Sequence, residues 1–280
     1  MVTTLCSHSA SLSTLSRVLI LLPPSEGKFV PRRGKRLALG ALDFPGLTEA
    51  RETVLSALVE LCAGRPDDEV AEAARILGLG STQADEVGRN AQLLTALTAR
   101  ADRVYTGVLY DALDLASLDA GARRRATRWL VIMSSLFGAV RPDDPIPAYR
   151  LSGDTRLPAL GTVSGFWRSQ LDPVLTEAAG DGLVVDLRSS TYAAFWRPPA
   201  GLARQVATVR VLHEVDGRRS VVSHFNKATK GRLVRDLLGD ARIAHTPADL
   251  ADQLAALGWV VEARPPTRAG QQLDVVVSAL

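Results

Sequence analysis

Five short segments concentrate residues able to hold an anion, carry a proton or attack a substrate. The first is 18–28, Val-Leu-Ile-Leu-Leu-Pro-Pro-Ser-Glu-Gly-Lys. An apolar run ends in a Pro-Pro turn and then offers Ser25, Glu26 and Lys28, and the carboxyl end of a buried strand is where α/β sheets place ligands. It does not spell a phosphate-cradling G-x-x-x-x-G-K-[ST] loop, because the first glycine and the spacing are missing. Lys28, Arg32, Arg33, Lys35 and Arg36 follow one another with no acid among them. Such a run serves a nucleic acid or simply solvates a loop.

The second segment, 75–87, reads Arg-Ile-Leu-Gly-Leu-Gly-Ser-Thr-Gln-Ala-Asp-Glu-Val. Gly78, Leu79 and Gly80 would join two helices, with Arg75 and Arg89 as the nearest cations. Glycines let a backbone approach a phosphate, and the amides opening the next helix favour an anion. The same letters also spell a helix C-cap followed by Ser81 or Thr82 as N-cap. The third runs from Tyr105 in Val-Tyr-Thr-Gly to a loop at 134–150 stiffened by Pro142, Pro145 and Pro147. That loop presents Arg141, Asp143, Asp144, Tyr149 and Arg150, and binding residues gather on loops that a scaffold holds. An Arg–Asp pair that merely braces the loop is the alternative.

The fourth, 184–192, ends a strand in Asp186, Arg188, Ser189, Ser190 and Tyr192. Asp186 and Arg188 share a face by alternation. The fifth, 222–235, passes into a helix whose first turns carry Asn226, Lys227, Lys230 and Arg232. Cations there oppose the helix dipole, a placement that anticipates an anion. A lysine whose pKa is lowered by burial can act as nucleophile or proton carrier, which makes Lys28 and Lys227 the candidates. Asp143 or Asp186 would be base or orienter, and Arg150 would hold an anion.

Other chemistries find no pattern. His8, His213, His224 and His245 form no metal-ligand spacing, Cys6 and Cys62 form neither a zinc pair nor a disulfide framework, and there is no G-x-S-x-G elbow or dinucleotide fingerprint. No metal and no cofactor is therefore expected. With 280 residues, 46% hydrophobic and 22% charged, the chain has the composition of one soluble globular domain, and its net charge of +3 names no partner. Of 33 Lys and Arg residues only four are lysine: Lys28, Lys35, Lys227 and Lys230. Where arginine is the default cation, each lysine draws attention as a titratable amine. The two-cysteine composition fits a cytoplasmic setting, and no apolar run is long enough for a membrane span.

The elements that must position these residues are strands at 18–22, 103–108, 129–134, 182–188, 205–215, 219–225, 259–263 and 273–278, and helices at 47–63, 67–77, 83–100, 164–179, 226–239 and 247–257. Asp216-Gly217 between two of the strands predicts a hairpin. The expected fold is α/β (α+β), a single domain over 17–280 with a mixed parallel and antiparallel sheet flanked by helices, after a loose leader at 1–16.

In this order, Leu-Leu-Pro-Pro-Ser-Glu-Gly-Lys, Tyr-Thr-Gly, Ser-Ser-Leu-Phe-Gly with Arg-Pro-Asp and Tyr-Arg, Asp-Leu-Arg-Ser-Ser-Thr-Tyr, and His-Phe-Asn-Lys-Ala-Thr-Lys-Gly-Arg resemble the YaaA peroxide-stress protein family over about 18–240. The resemblance implies a basic cleft and non-specific DNA binding that includes a helix-hairpin-helix element, matched here by Leu77-Gly-Leu-Gly80. It also implies a role in limiting free intracellular iron and DNA damage. It implies no reaction. Two readings follow: a DNA-associated stress protein whose cleft is lined by Lys28, Arg141, Arg150, Arg188, Lys227 and Lys230, or an enzyme acting on a small anionic or nucleobase-like substrate in the same cleft.

Overall fold

The computed structural model describes residues 18–63 and 67–278. The expected leader, with Cys6 and His8, lies outside them. Eight strands form one sheet: β1 (Val18–Leu22), β2 (Leu130–Ser134), β3 (Gly138–Val140), β4 (Leu183–Asp186), β5 (Val206–Val215), β6 (Arg218–Ser220), β7 (Val260–Ala263) and β8 (Gln271–Val277). Their order is β7-β8-β5-β4-β1-β2-β3, with β6 on β5. The run β2-β1-β4-β5-β8 is parallel throughout, while β3, β6 and β7 pair antiparallel. This is the mixed sheet that the hairpin signal requires, and Asp216 and Gly217 take up its turn with φ of 50° and 71°.

Every residue of β1, β2 and β4 is buried. Successive side chains point to opposite faces, so unbroken burial means that both faces are covered, and these strands read as continuous apolar runs. Helices Ala120–Trp129 and Val163–Ala179 pack against β1, and Pro247–Ala256 against β8 and β5. The chain leaves β1 toward β2 and later returns to β4 on the other side of β1. That reversal puts a switch point at the carboxyl ends of β1 and β4, where ligand crevices form in such sheets.

Three local expectations are corrected. The apolar run at 103–108 is not a strand: Ala101–Val104 is a helical turn, Tyr105 makes one bridge with Lys28, and Val108–Leu113 is helical. The two residues before it bind elsewhere, Ala101 N donating to Asp144 O at 2.8 Å and Asp102 N to Pro142 O at 3.0 Å. The helix expected over 83–100 covers only Asp85–Ala91. Thr98 is claimed by Lys35 O, and Ala99–Arg100 pairs with Pro145–Ile146, so tertiary pairing overrides helix propensity. The strand expected over 219–225 stops at Ser220, because the following helix already starts at Ser223.

Candidate functional site

At the carboxyl end of β1 the chain turns through Pro23, whose carbonyl accepts from Tyr110 Oη at 2.7 Å. Ser25 Oγ donates to Gly27 O at 2.7 Å and accepts from Thr106 N at 3.0 Å, which fixes the turn against the Tyr105 segment. The turn aims Lys28 back over its own backbone. Its Nζ donates to Ser25 O at 2.9 Å and to Glu26 O at 3.3 Å, and it sits 4.3 Å from the centre of the Tyr149 ring and 5.7 Å from that of Tyr105. Loss of solvation at Nζ, helped by the neighbouring Arg150 charge, lowers the Lys28 pKa to about 7.

Below Lys28 lies a chain of hydroxyls. Tyr105 Oη and Tyr149 Oη are 3.0 Å apart, Tyr149 Oη and Ser134 Oγ 2.8 Å, and Ser134 Oγ accepts from Phe137 N at 3.0 Å. Tyr105 and Tyr149 are 1% and 2% exposed, and burial raises both of their pKa values, so these are neutral phenols at physiological pH. Tyr110 stacks on Tyr105 at 5.6 Å, and Tyr192 also reaches the group through Ser135. All four tyrosines of the chain converge here. Ser134 ends β2, so the cluster spans the ends of two adjacent parallel strands.

Arg150 closes one side. Its backbone N and O are held by the side chain of buried Asn90 at 2.9 and 2.7 Å, and its guanidinium reaches Glu26 O at 3.4 Å and the Glu26 carboxylate at 3.5 Å. On the β4 side, buried Asp186 and Arg188 form a two-pronged ion pair at 2.9 and 2.7 Å, and Arg188 Nη1 also donates to Tyr192 O. Lys230 Nζ donates to Leu187 O at 2.8 Å, and burial lowers its pKa although Asp186 opposes the shift. Leu187 N in turn donates to Leu21 O, so this arm is stitched to β1.

Ser25, Glu26, Lys28, Tyr105, Tyr149, Arg150, Asp186, Arg188, Tyr192 and Lys230 thus meet around the ends of β1, β2 and β4. Arg141 does not join them: it donates to Arg128 O and to Leu130 O at the opposite end of β2. A cavity of about 410 Å³ opens at that other end, beside Arg141, Arg128 and Asp43. Asp143 is engaged by Arg100, Arg123 and Thr127, so it is a bracing carboxylate and not a base beside Lys28. Lys227 is exposed on its helix, and so are Ser189 and Ser190 at the start of Ser190–Ala193. Asn226 Oδ1 is buried without a hydrogen-bond partner. Sequence reasoning missed Tyr110, Ser134, Ser135 and Asn90 as members of this group. The available signal was the shortage of tyrosine: each of four falls near a strand-end segment.

Gly78 takes φ of 65° and Leu79 N donates to Ala74 O at 2.9 Å, which is a glycine C-cap of helix Asp67–Ile76. Gly80 N meets Gln83 Oε1 at 3.2 Å before helix Asp85–Ala91. Arg75 is paired with Glu72 and Arg89 with Glu86, each within its own helix. Among the described residues no group of three His, Cys, Asp or Glu gathers as metal ligands do, and no helix is long and apolar enough to cross a membrane.

A family model described as peroxide stress protein YaaA matches residues 18–264. The chain belongs to the YaaA peroxide stress family. Similar proteins include a UPF0246 protein of Streptomyces coelicolor, 55% identical over 262 residues, covering 93% of this chain and 98% of that protein. A UPF0246 protein of Corynebacterium glutamicum is 42% identical over 253 residues, 89% and 96% of the two chains. One from Corynebacterium efficiens is 41% identical over 247 residues, 88% and 95%. Membership supports a role in peroxide stress. The matched span contains every residue of the Lys28 cluster, so the cluster belongs to the YaaA part of the chain.

Proposed function

We propose that this YaaA-family chain carries out its stress role through a small-molecule site at the carboxyl edge of its sheet, with Lys28 as the reactive amine and Arg150 as the anchor for an anion. One observation carries the reading: Lys28 Nζ and the Arg150 guanidinium share Glu26 O, at 3.3 and 3.4 Å, above the face of Tyr149. A half-buried amine beside a second cation has little use in bracing a fold, because both charges cost desolvation. It is well suited to proton transfer or nucleophilic attack at neutral pH. Protection of DNA and lowering of free iron are downstream effects of this site in the reading. Thermal-shift screening with phosphate, small carboxylates, nucleotides and nucleobases tests it: anionic compounds should raise the melting temperature of the wild-type chain and not of Lys28→Ala. A stabilisation that survives in Lys28→Ala refutes the assignment.

A second reading, non-specific DNA binding, is favoured by the loop that leaves this site. Arg32, Arg33, Lys35 and Arg36 are exposed and, among the described residues, without an ion-pair partner. Their backbone is pinned by Thr98 N and Oγ1, both 2.9 Å from Lys35 O, and by Leu37 N to Ala96 O at 3.1 Å. Phe29 beside them is 51% exposed. Ordered cations next to an exposed ring suit phosphates and a stacked base.

A further inference from the structure

We infer that the Lys28 site takes a small oxo acid, an aldehyde or ketone carrying a carboxylate a bond or two from its carbonyl, and condenses it with Nζ as an imine. The inference rests on the reading of Lys28 and Arg150 as one anion-binding pair and names the substrate class that pair selects.

A neutral amine has two N–H groups and one lone pair. Both donors of Lys28 already have acceptors within its own turn, Ser25 O and Glu26 O. The lone pair is then the uncommitted part of the nitrogen, and Nζ is held in place by its two carbonyls with the rings of Tyr149 and Tyr105 alongside. Burial and the nearby Arg150 charge keep a substantial fraction of Lys28 unprotonated near neutrality, the same pair of influences that activates other imine-forming lysines. Arg150 supplies what a simple carbonyl would not use. Its guanidinium touches the same Glu26 oxygen, and its one acidic partner among the described residues, Glu26, is reached only at 3.5 Å through a carboxylate that is 87% exposed. A substrate carboxylate can replace that loose pair with the two-pronged contact that arginine favours. Amine and guanidinium converging on one oxygen fit a molecule whose carbonyl and carboxylate are adjacent.

The step balances without any further reactant. The lone pair attacks the carbonyl carbon and one nitrogen proton moves to the carbonyl oxygen, giving a carbinolamine; the second nitrogen proton then joins the hydroxyl as the C–O bond breaks, so that water leaves and the C=N bond forms. Hydrolysis reverses it.

Glyoxylate with cyanoborohydride at pH 7 tests the inference on the full-length chain. Hydride from the reagent converts the imine into a stable carboxymethyl amine, located by peptide mass spectrometry. The competing amines are three other lysines and the α-amino group of the chain, and peptide mapping separates each of them from Lys28. Lys28 should gain one carboxymethyl group on the order of a hundredfold faster than Lys35 or Lys227. Arg150→Ala, whose backbone keeps both bonds to Asn90, should slow labelling by glyoxylate more than labelling by the uncharged acetaldehyde, because both lose the charge that lowers the Lys28 pKa and only glyoxylate also loses its carboxylate anchor. Labelling shared evenly among the lysines overturns the inference. So does glyoxylate that raises the melting temperature without labelling Lys28, in which case the anion site stands and the imine does not. If glyoxylate neither labels nor stabilises the chain, and the anion screen is also blank, both fall.

Discussion

Lys28 and Arg150 meet on one atom. Glu26 O accepts from Lys28 Nζ at 3.3 Å and from Arg150 Nη1 at 3.4 Å, although 122 positions of chain separate the two cations and the long excursion between β1 and β2 lies between them. Two positive groups brought to one carbonyl repel, and Arg150 is the second cause, after burial, of the lowered Lys28 pKa.

That lowering has a sign for stability. The folded value of about 7 lies below the ordinary 10.5, so between them the unfolded chain binds more protons. The contribution of Lys28 to stability is full above about pH 10.5 and is lost as pH falls through about 7. Lys28→Met should flatten the rise of unfolding free energy with pH over that window. Urea melts of both chains at several pH values check this, and identical slopes would show that Lys28 keeps its ordinary pKa.

Tyr149 joins Tyr105 to Ser134 through its hydroxyl and supports Lys28 with its ring. Tyr149→Phe leaves the ring and removes the Oη partner of two buried hydroxyls, Tyr105 Oη and Ser134 Oγ, at a cost of about 1–3 kcal/mol. Lys28 should still titrate near 7 by NMR, since its causes are burial and Arg150. A Lys28 pKa that returns to the usual lysine range in Tyr149→Phe would assign the shift to the hydroxyl instead.

Asp186 and Arg188 are both buried and meet through two contacts, at 2.9 and 2.7 Å. Asp186→Asn leaves the guanidinium buried without its counter-charge, a loss of about 3–5 kcal/mol. Denaturant midpoints measure it. A stable Asp186→Asn protein with impaired ligand binding would move Asp186 from bracing the β4 arm into the binding machinery.

Gly231 lets helix Ser223–Gly239 lie against Val108–Leu113. A Cβ there would stand 2.3 Å from Leu109 O and 2.9 Å from Ala112 Cβ. Gly231→Ala must push the helices apart, at about 1–3 kcal/mol, and shift Tyr110 with its helix. Near-ultraviolet circular dichroism of the tyrosines should change together with the melting temperature; an unchanged spectrum and midpoint would mean that the contact yields freely.

For DNA, the loop reading makes an ionic prediction. Replacing Arg32 and Arg33 by Ala should reduce the log–log salt slope of binding by about two, one per phosphate contact. A slope that stays the same assigns binding away from this loop.

The parallel core was readable because β1, β2 and β4 are unbroken apolar runs buried on both faces, while β5 and β8 are rich in valine with polar residues interspersed. The segment at 103–108 has the same letters and folds otherwise. Its backbone meets Gly27, Lys28 and Phe29, and the two residues before it bond to Asp144 and Pro142, partners that lie far along the chain. Thr98 likewise leaves its expected helix for Lys35 O.

The site divides in the same way. Sequence alone determined which groups were available: a single lysine after the Pro-Pro turn, Arg150 after a proline-stiffened loop, and Asp186 and Arg188 two apart on a strand end. Residue type and local geometry suffice for that. Only the tertiary structure decided that Arg141 and Asp143 stand apart while Tyr110, Ser134 and Asn90 join. It also decided that Lys28, and not exposed Lys227, loses its solvent. The physical reason is that burial and charge proximity are set by which distant strand ends the sheet order makes neighbours, and no short window of sequence contains that order.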